Sequence, residues 1–187
     1  LTDQDTINNL YEFVKNNCGS LDHLVCNLGS GKSMPILLEN TVEWKRMLDI
    51  NLLSSASMVN TFQPLLTQQF EKSCELSTIT MISSICGVES LGAPVTYTSS
   101  KAALIAYAKS IATPLAEKGI RVNTVTSGNI LFSGSTWDEK LKRDADVVNK
   151  YIKKEVPLKR FAKPQEVADV VVFLASKRAS FVVGSNW

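Results

Sequence analysis

The sequence is poor in the residues that build metal and thiol sites. It has one histidine, His23, and its four cysteines, Cys18, Cys26, Cys74 and Cys86, show neither Cys-x-x-Cys nor Cys/His ligand spacing, which excludes a zinc centre. Three of those cysteines lie in or beside expected buried strands and read as small apolar side chains in a reducing cytosol. No apolar run approaches the ~20 residues of a membrane span, and no signal peptide opens the chain. The expectation is a soluble, cytoplasmic protein with no membrane partner. An excess of one charge is missing as well: 20 basic against 18 acidic residues, net +2, gives no pull toward nucleic acid. Repeats and low-complexity linkers are absent. So is a glycine-rich turn between a strand and a helix, the element that lets a dinucleotide pyrophosphate approach a helix N-terminus.

What is present is a 187-residue chain, 44% hydrophobic, enough for one domain with a sizeable core. Residues 2–16 read as a helix with Ile7, Leu10, Tyr11 and Val14 on one face, stopped by Asn17-Cys18-Gly19. Residues 21–28 read as a buried strand, and Asn27-Leu28-Gly29-Ser30-Gly31 turns off its carboxyl end, where open parallel sheets bind ligands. A long helical pattern over 41–70 holds Asn51 in its interior and should kink at Pro64. Residues 77–85 are β-branched and apolar, a central parallel strand. A helix from about Thr96, with a bend expected near Pro114, ends at Gly119. A further strand over 120–126 leads to Ser127-Gly128-Asn129-Ile130. The insert over 133–161 sits where a substrate lid would. Its eight basic and five acidic residues between Asp138 and Arg160 suit either a phosphorylated or carboxylated substrate or a solvated helix face. Lys163-Pro164 opens another helix, and Ser180 begins a strand that is cut short at Trp187.

The chemistry concentrates in Ser84 and in Tyr97-Thr98-Ser99-Ser100-Lys101. On a helix, Tyr97 and Lys101 share one face. A phenol of pKa ~10 exchanges protons poorly at neutral pH unless a nearby ammonium favours the phenolate, and Ser84 would offer a hydroxyl to the same oxygen. The spacing alone is weak. With four tyrosines and fifteen lysines, chance supplies about 0.3 such pairs, and Tyr11-Glu-Phe-Val-Lys15 is a second copy that reads as a helix-surface pair. Context distinguishes the first copy: a strand ending in Ser83-Ser84, a Gly87 turn, Pro94, then a helix crowded with small residues.

These pieces occur in the order Cys26-Asn27-Leu28-Gly29, Asp49-Ile50-Asn51-Leu52, Ser83-Ser84-Ile85-Cys86-Gly87, Tyr97-x-x-x-Lys101 and Arg121-Val122-Asn123 through Gly128. That order resembles the short-chain dehydrogenase/reductase family, in particular its members of the 3-oxoacyl carrier-protein reductase type, over nearly the whole chain. The resemblance implies an α/β fold, a doubly wound, Rossmann-like parallel sheet, with residues 1–187 forming part of that single domain. The family's glycine fingerprint sits on a first strand before the point corresponding to Leu1. The chain is therefore expected to be an interior piece lacking its first strands and extreme C-terminus. The resemblance further implies an NAD- or NADP-dependent oxidoreductase acting on an alcohol/carbonyl pair. Tyr97 would be its acid/base, Ser84 a hydrogen-bond donor to the substrate oxygen, and Lys101 the group that lowers the Tyr97 pKa and binds ribose. Asn51 would hold a relay water and the lysine. Asn27, Gly29, Gly128 and Ile130 would join Tyr97 and Lys101 in contacting cofactor. The family's packing implies a homodimer or homotetramer through the 41–70 and 96–116 helices. Cys26, Leu28 and Ser127 depart from the family's usual Asn, Ala and Pro, which keeps a non-catalytic nucleotide- or partner-binding member as the alternative. A sugar-nucleotide epimerase or dehydratase fits less well, for want of that branch's larger C-terminal domain.

Overall fold

The computed structural model describes residues 2–187. Three parallel strands, β1 (His23–Cys26), β2 (Ser77–Ser84) and β3 (Ile120–Ser127), lie side by side in sequence order. The register runs from His23 beside Thr78 on one side, and from Ser77 beside Ile120 to Ser84 beside Ser127 on the other. Past β3 the chain's last residues lie along its free edge. Ser185 O accepts from Thr124 N at 2.9 Å, and Trp187 N donates to Thr124 O at 3.0 Å. The expected strand from Ser180 is thus reduced to a parallel bridge between Thr124 and Asn186.

Helices cover both faces. The first, α1 (Gln4–Asn17), is capped by Asp3, whose carboxylate accepts from Thr6 N. Then α2 (Thr41–Leu48), capped by Asn40, passes through a π-helical turn, Asp49–Leu53, into α3 (Ser54–Ser73). A fourth, α4 (Val95–Ala116), follows β2 and a 3₁₀ turn, Ile85–Gly87. Alternation along the strands sorts the core. Leu24, Cys26, Ile79, Met81, Ile120 and Val122 face α1, α3 and α4, while Ile82 and Val125 face α7 (Pro164–Ala175) through Leu174, Val167 and Val170. On that second face β1 is uncovered among the described residues, and Val25 is 46% exposed.

One boundary differs from expectation. The first strand pairs over four residues rather than 21–28, because beyond Cys26 the backbone turns toward α2 and α3. Helix α3 runs unbroken through Pro64 to Ser73, and α4 through Pro114 to Ala116. Both prolines are exposed, so solvent can take the carbonyls they leave unbonded. An irregularity falls at the π turn, Asp49–Leu53, where Asn51 is buried. The insert over 133–161 forms two helices, α5 (Thr136–Arg143) and α6 (Ala145–Glu155), hinged at Asp144, which caps the second. Trp137 sits between Tyr151 and Phe161, at centroid distances of 5.3 and 5.4 Å.

Gly119 ends the turn after α4 at φ +75°, and a Cβ there would lie 2.1 Å from the Phe70 ring. Gly119→Ala combines left-handed strain with a clash inside the α3 to β3 contact. Its unfolding free energy in a urea titration should fall by ~2–4 kcal/mol, against an unchanged value if the turn simply relaxes.

Candidate active site

Ser84 is the last residue of β2, and its hydroxyl accepts from Cys86 N at 3.2 Å, starting the 3₁₀ turn. Gly87 in that turn packs on α4: a Cβ there would lie 2.9 Å from both the Lys101 carbonyl carbon and Ala102 N. Only glycine lets the strand end and the helix approach this closely. Ser83 Oγ donates to Lys101 O at 3.1 Å across the same contact. In consequence Ser84 and Tyr97 open into one cleft of about 500 Å³, together with Gly31, Ser127, Gly128, Ile130 and the lid residue Trp137.

Lys101 is almost fully buried, 4% exposed, and its ammonium donates to Ile82 O at 2.7 Å. Burial brings its pKa down to about 8. The Tyr97 phenol is raised above its ordinary value: burial is the largest cause, the Ser84 hydroxyl pulls the other way, and Cys86 adds to the rise. This differs from the expectation that Lys101 lowers it. The Lys101 ammonium is turned to the Ile82 carbonyl. The phenol therefore keeps its proton at neutral pH.

Asn51, fully buried in the π turn, clamps the loop that follows β1. Its Oδ1 accepts from Ser30 N at 2.9 Å, and its Nδ2 donates to Ser30 O and Met47 O, both at 3.1 Å. Both side-chain donors are thereby used within the protein. The loop touches α4 at Gly29, where a Cβ would sit 2.9 Å from Asn51 Oδ1 and 3.1 Å from Lys101 Nζ. Asn27 and Gly29 line a second cleft of about 410 Å³ with Cys26, Ser54 and Ser55. The expected cofactor residues are thus divided between two clefts, separated by the Gly29 to Lys101 approach. Gly128 and Ile130 stay on the Tyr97 side, where Ile130 bridges to Ala162. The absence of a side chain at Gly29 leaves its backbone close to the Lys101 ammonium, the kind of glycine turn that lets a nucleotide approach a backbone. Cys26 is buried against Ser55, and desolvation pushes its thiol up to about 12, so it fills space as a neutral group. Ser127 pairs with Ser84 in register and lines the main cleft.

Several participants were not apparent from the sequence. The Ile82 carbonyl is a backbone group and leaves no sequence signal. Ser30 and Gly31 lay in the marked turn, yet only tertiary contact shows Ser30 under Asn51 and Gly31 beside the Tyr97 ring. Lys32 reaches the lid, bonding Glu139 at 2.6 Å.

Over residues 1–187 the chain matches the family model described as enoyl-(acyl carrier protein) reductase. It is 31% identical over 185 residues to the 3-oxoacyl-[acyl-carrier-protein] reductase FabG of Aquifex aeolicus, covering 98% of this chain and 70% of that protein. Against the same-named protein of Thermotoga maritima it is 32% identical over 184 residues, with the same coverage. L-Sorbose reductase from Gluconobacter frateurii, solved with NADPH and L-sorbose, superposes with a TM-score of 0.89 at 28% identity, over 100% of this chain and 71% of that one. A 7α-hydroxysteroid dehydrogenase complexed with NADH and 7-oxo glycochenodeoxycholic acid does so at 0.86 and 26%, over 99% and 68%. The chain belongs to the short-chain dehydrogenase/reductase family, a class of NAD(P)-dependent oxidoreductases. The non-catalytic alternative finds no support in these relatives. Among the described residues no helix is long and apolar enough to cross a membrane, and no cluster of metal-ligating side chains occurs.

The buried ammonium has a measurable consequence. Between about 8, its folded pKa, and ~10.4 for an unfolded lysine, the unfolded chain holds a proton that the native site has released. This group's contribution to stability therefore rises with pH across that window. Cys26, held near 12, acts in the opposite sense above ~8.5, so the informative quantity is a difference. From pH 7.5 to 10, the unfolding free energy of wild type should gain ~2 kcal/mol relative to Lys101→Met. A pH-independent difference would place the ammonium in solvent.

Proposed function

We propose that the chain reduces a carbonyl substrate to its alcohol with Tyr97 as proton donor, and by reversal oxidises the alcohol. The observation that carries this is the meeting of the Ser84 and Tyr97 hydroxyls in one cleft beside the buried Lys101. Bound NADH or NADPH would supply the hydride to the carbonyl carbon. Tyr97 gives its phenolic proton to the carbonyl oxygen as negative charge develops there, and Ser84 donates a hydrogen bond to that same oxygen. A phenol held protonated at neutral pH is in the form that reduction requires. Lys101 has two N–H donors beyond the one given to Ile82 O; these would reach ribose hydroxyls and stabilise the phenolate once the proton has left. Asn51 is a positioning residue, holding Ser30 and with it the Gly29 passage, while Asn27, Gly128 and Ile130 contact the cofactor through exposed or half-buried backbone. NADH and NADPH each appear with a structural relative, and either suits these residues.

The same reading makes the protein a cytoplasmic homodimer or homotetramer. Support comes from the family packing, from the small residues Ala102, Ala103 and Ala106 on the outer surface of α4, and from four cysteines that are all free.

Tyr97→Phe should lower turnover by ~10²-fold or more while leaving NADH or NADPH binding within about threefold, because the deleted oxygen acts mainly in the transition state. Retained turnover would remove Tyr97 from the mechanism. Tyr11→Phe, whose ring packs on Phe62, is the matched control and should match wild type. Lys101→Ala should weaken cofactor binding as well as turnover, seen in a fluorescence titration run beside the pH-rate profile. Unchanged affinity with an unshifted basic limb would leave Lys101 a purely structural lysine.

A further inference from the structure

The lid carries cations that nothing in the proposed chemistry uses. Lys140 and Arg143, both on α5, line the same cleft as Ser84 and Tyr97. The other charged groups nearby are committed: Lys142 to Asp138 at 2.8 Å, Lys32 to Glu139 at 2.6 Å, and Arg160 to Glu166 at 2.6 Å. Among the described residues Arg143 makes no side-chain hydrogen bond or ion pair, and Lys140 only rests over the Trp137 ring at 4.6 Å. The one carboxylate on the cleft wall among the described residues, the exposed Asp144, accepts Val147 N at 3.1 Å through one oxygen at the start of α6, where the positive end of that helix favours its charge. Trp137, Val148 and Tyr151 line the same cleft.

We propose that the substrate carries, in addition to its carbonyl or alcohol, an anionic group, a carboxylate or phosphate, held by Arg143 and Lys140 at the lid end of the cleft. This rests on the oxidoreductase reading and names the substrate class for that site. A free guanidinium presents paired N–H donors that match a carboxylate or phosphate, and the neighbouring ammonium adds point charge. The aromatic wall would seat the carbon spacer that joins the anion to the reacting carbon. Both cations also suit the negative C-terminal end of α5, but that structural role would leave ligand charge without effect.

The test is calorimetric titration of the full-length protein, with oxidised cofactor present so that no turnover intervenes. The probes are medium-chain oxo acids, oxo phosphate esters, and the methyl esters of the same oxo acids. Acids or phosphates should bind about tenfold tighter than the neutral esters. The double substitution Arg143→Gln with Lys140→Gln should erase that advantage while moving ester affinity less than about twofold. Esters binding as tightly as acids, an advantage that survives the double substitution, or no binding of any anionic probe would each overturn the proposal. Tyr97→Phe should leave the charge preference in place. Failure of the catalytic reading would appear as retained turnover in that variant, so the two failures are separable.

Discussion

An ammonium held out of water beside a phenol is the constraint on which the rest of this structure depends. Lys101 lies on the inner side of α4, and a buried charge of this kind persists only with a polar partner. The partner is the Ile82 carbonyl, one residue before the strand end that carries Ser83 and Ser84. Meeting that need requires α4 and the end of β2 to come closer than ordinary side chains permit, which Gly87 allows by having no Cβ and Ser83 secures by bonding the Lys101 carbonyl. The same closeness puts the Ser84 hydroxyl within reach of the Tyr97 ring, one helical turn before the lysine. Stability and site geometry thus come from one contact.

A second clamp acts from the other side. The π turn between α2 and α3 is costly in regular hydrogen bonding, and what it provides is a fully buried Asn51 whose amide reads both backbone groups of Ser30. This fixes the loop after β1 so that Gly29 passes close to both Asn51 Oδ1 and Lys101 Nζ. A side chain at that position would push the lysine from its carbonyl or the loop from its asparagine. Three segments far apart in sequence are therefore held at one point by a glycine, an amide and an ammonium.

The raised Tyr97 pKa and the depressed Lys101 pKa have one origin, the loss of water around both groups. As it stands, the site holds a protonated acid beside an ammonium that gives up its proton more easily than a solvated lysine. The lid over it is less deeply anchored. Its aromatic cluster of Trp137, Tyr151 and Phe161 packs within the insert, and the Lys32 to Glu139 pair that ties it to the loop after β1 is largely solvated and contributes little to stability. The insert over the cleft is thus held more loosely than the contact between α4 and the end of β2.

By itself the sequence determined the order of helices and strands, the parallel sheet, and the grouping of Ser84, Tyr97, Lys101 and Asn51. The order of elements is written in local pattern, in β-branched apolar runs and apolar faces at period 3.6, while the grouping of the four residues is what the resemblance of the motif order to a known family implied. Tertiary structure alone decided the partner of Lys101, because that partner is a main-chain carbonyl and every residue has one. It also decided the direction of the Tyr97 shift, which burial sets and a one-dimensional spacing cannot show. The π turn is decided in the same way: it falls at Asn51, a position with no breaker residue, where a buried amide has a loop to hold.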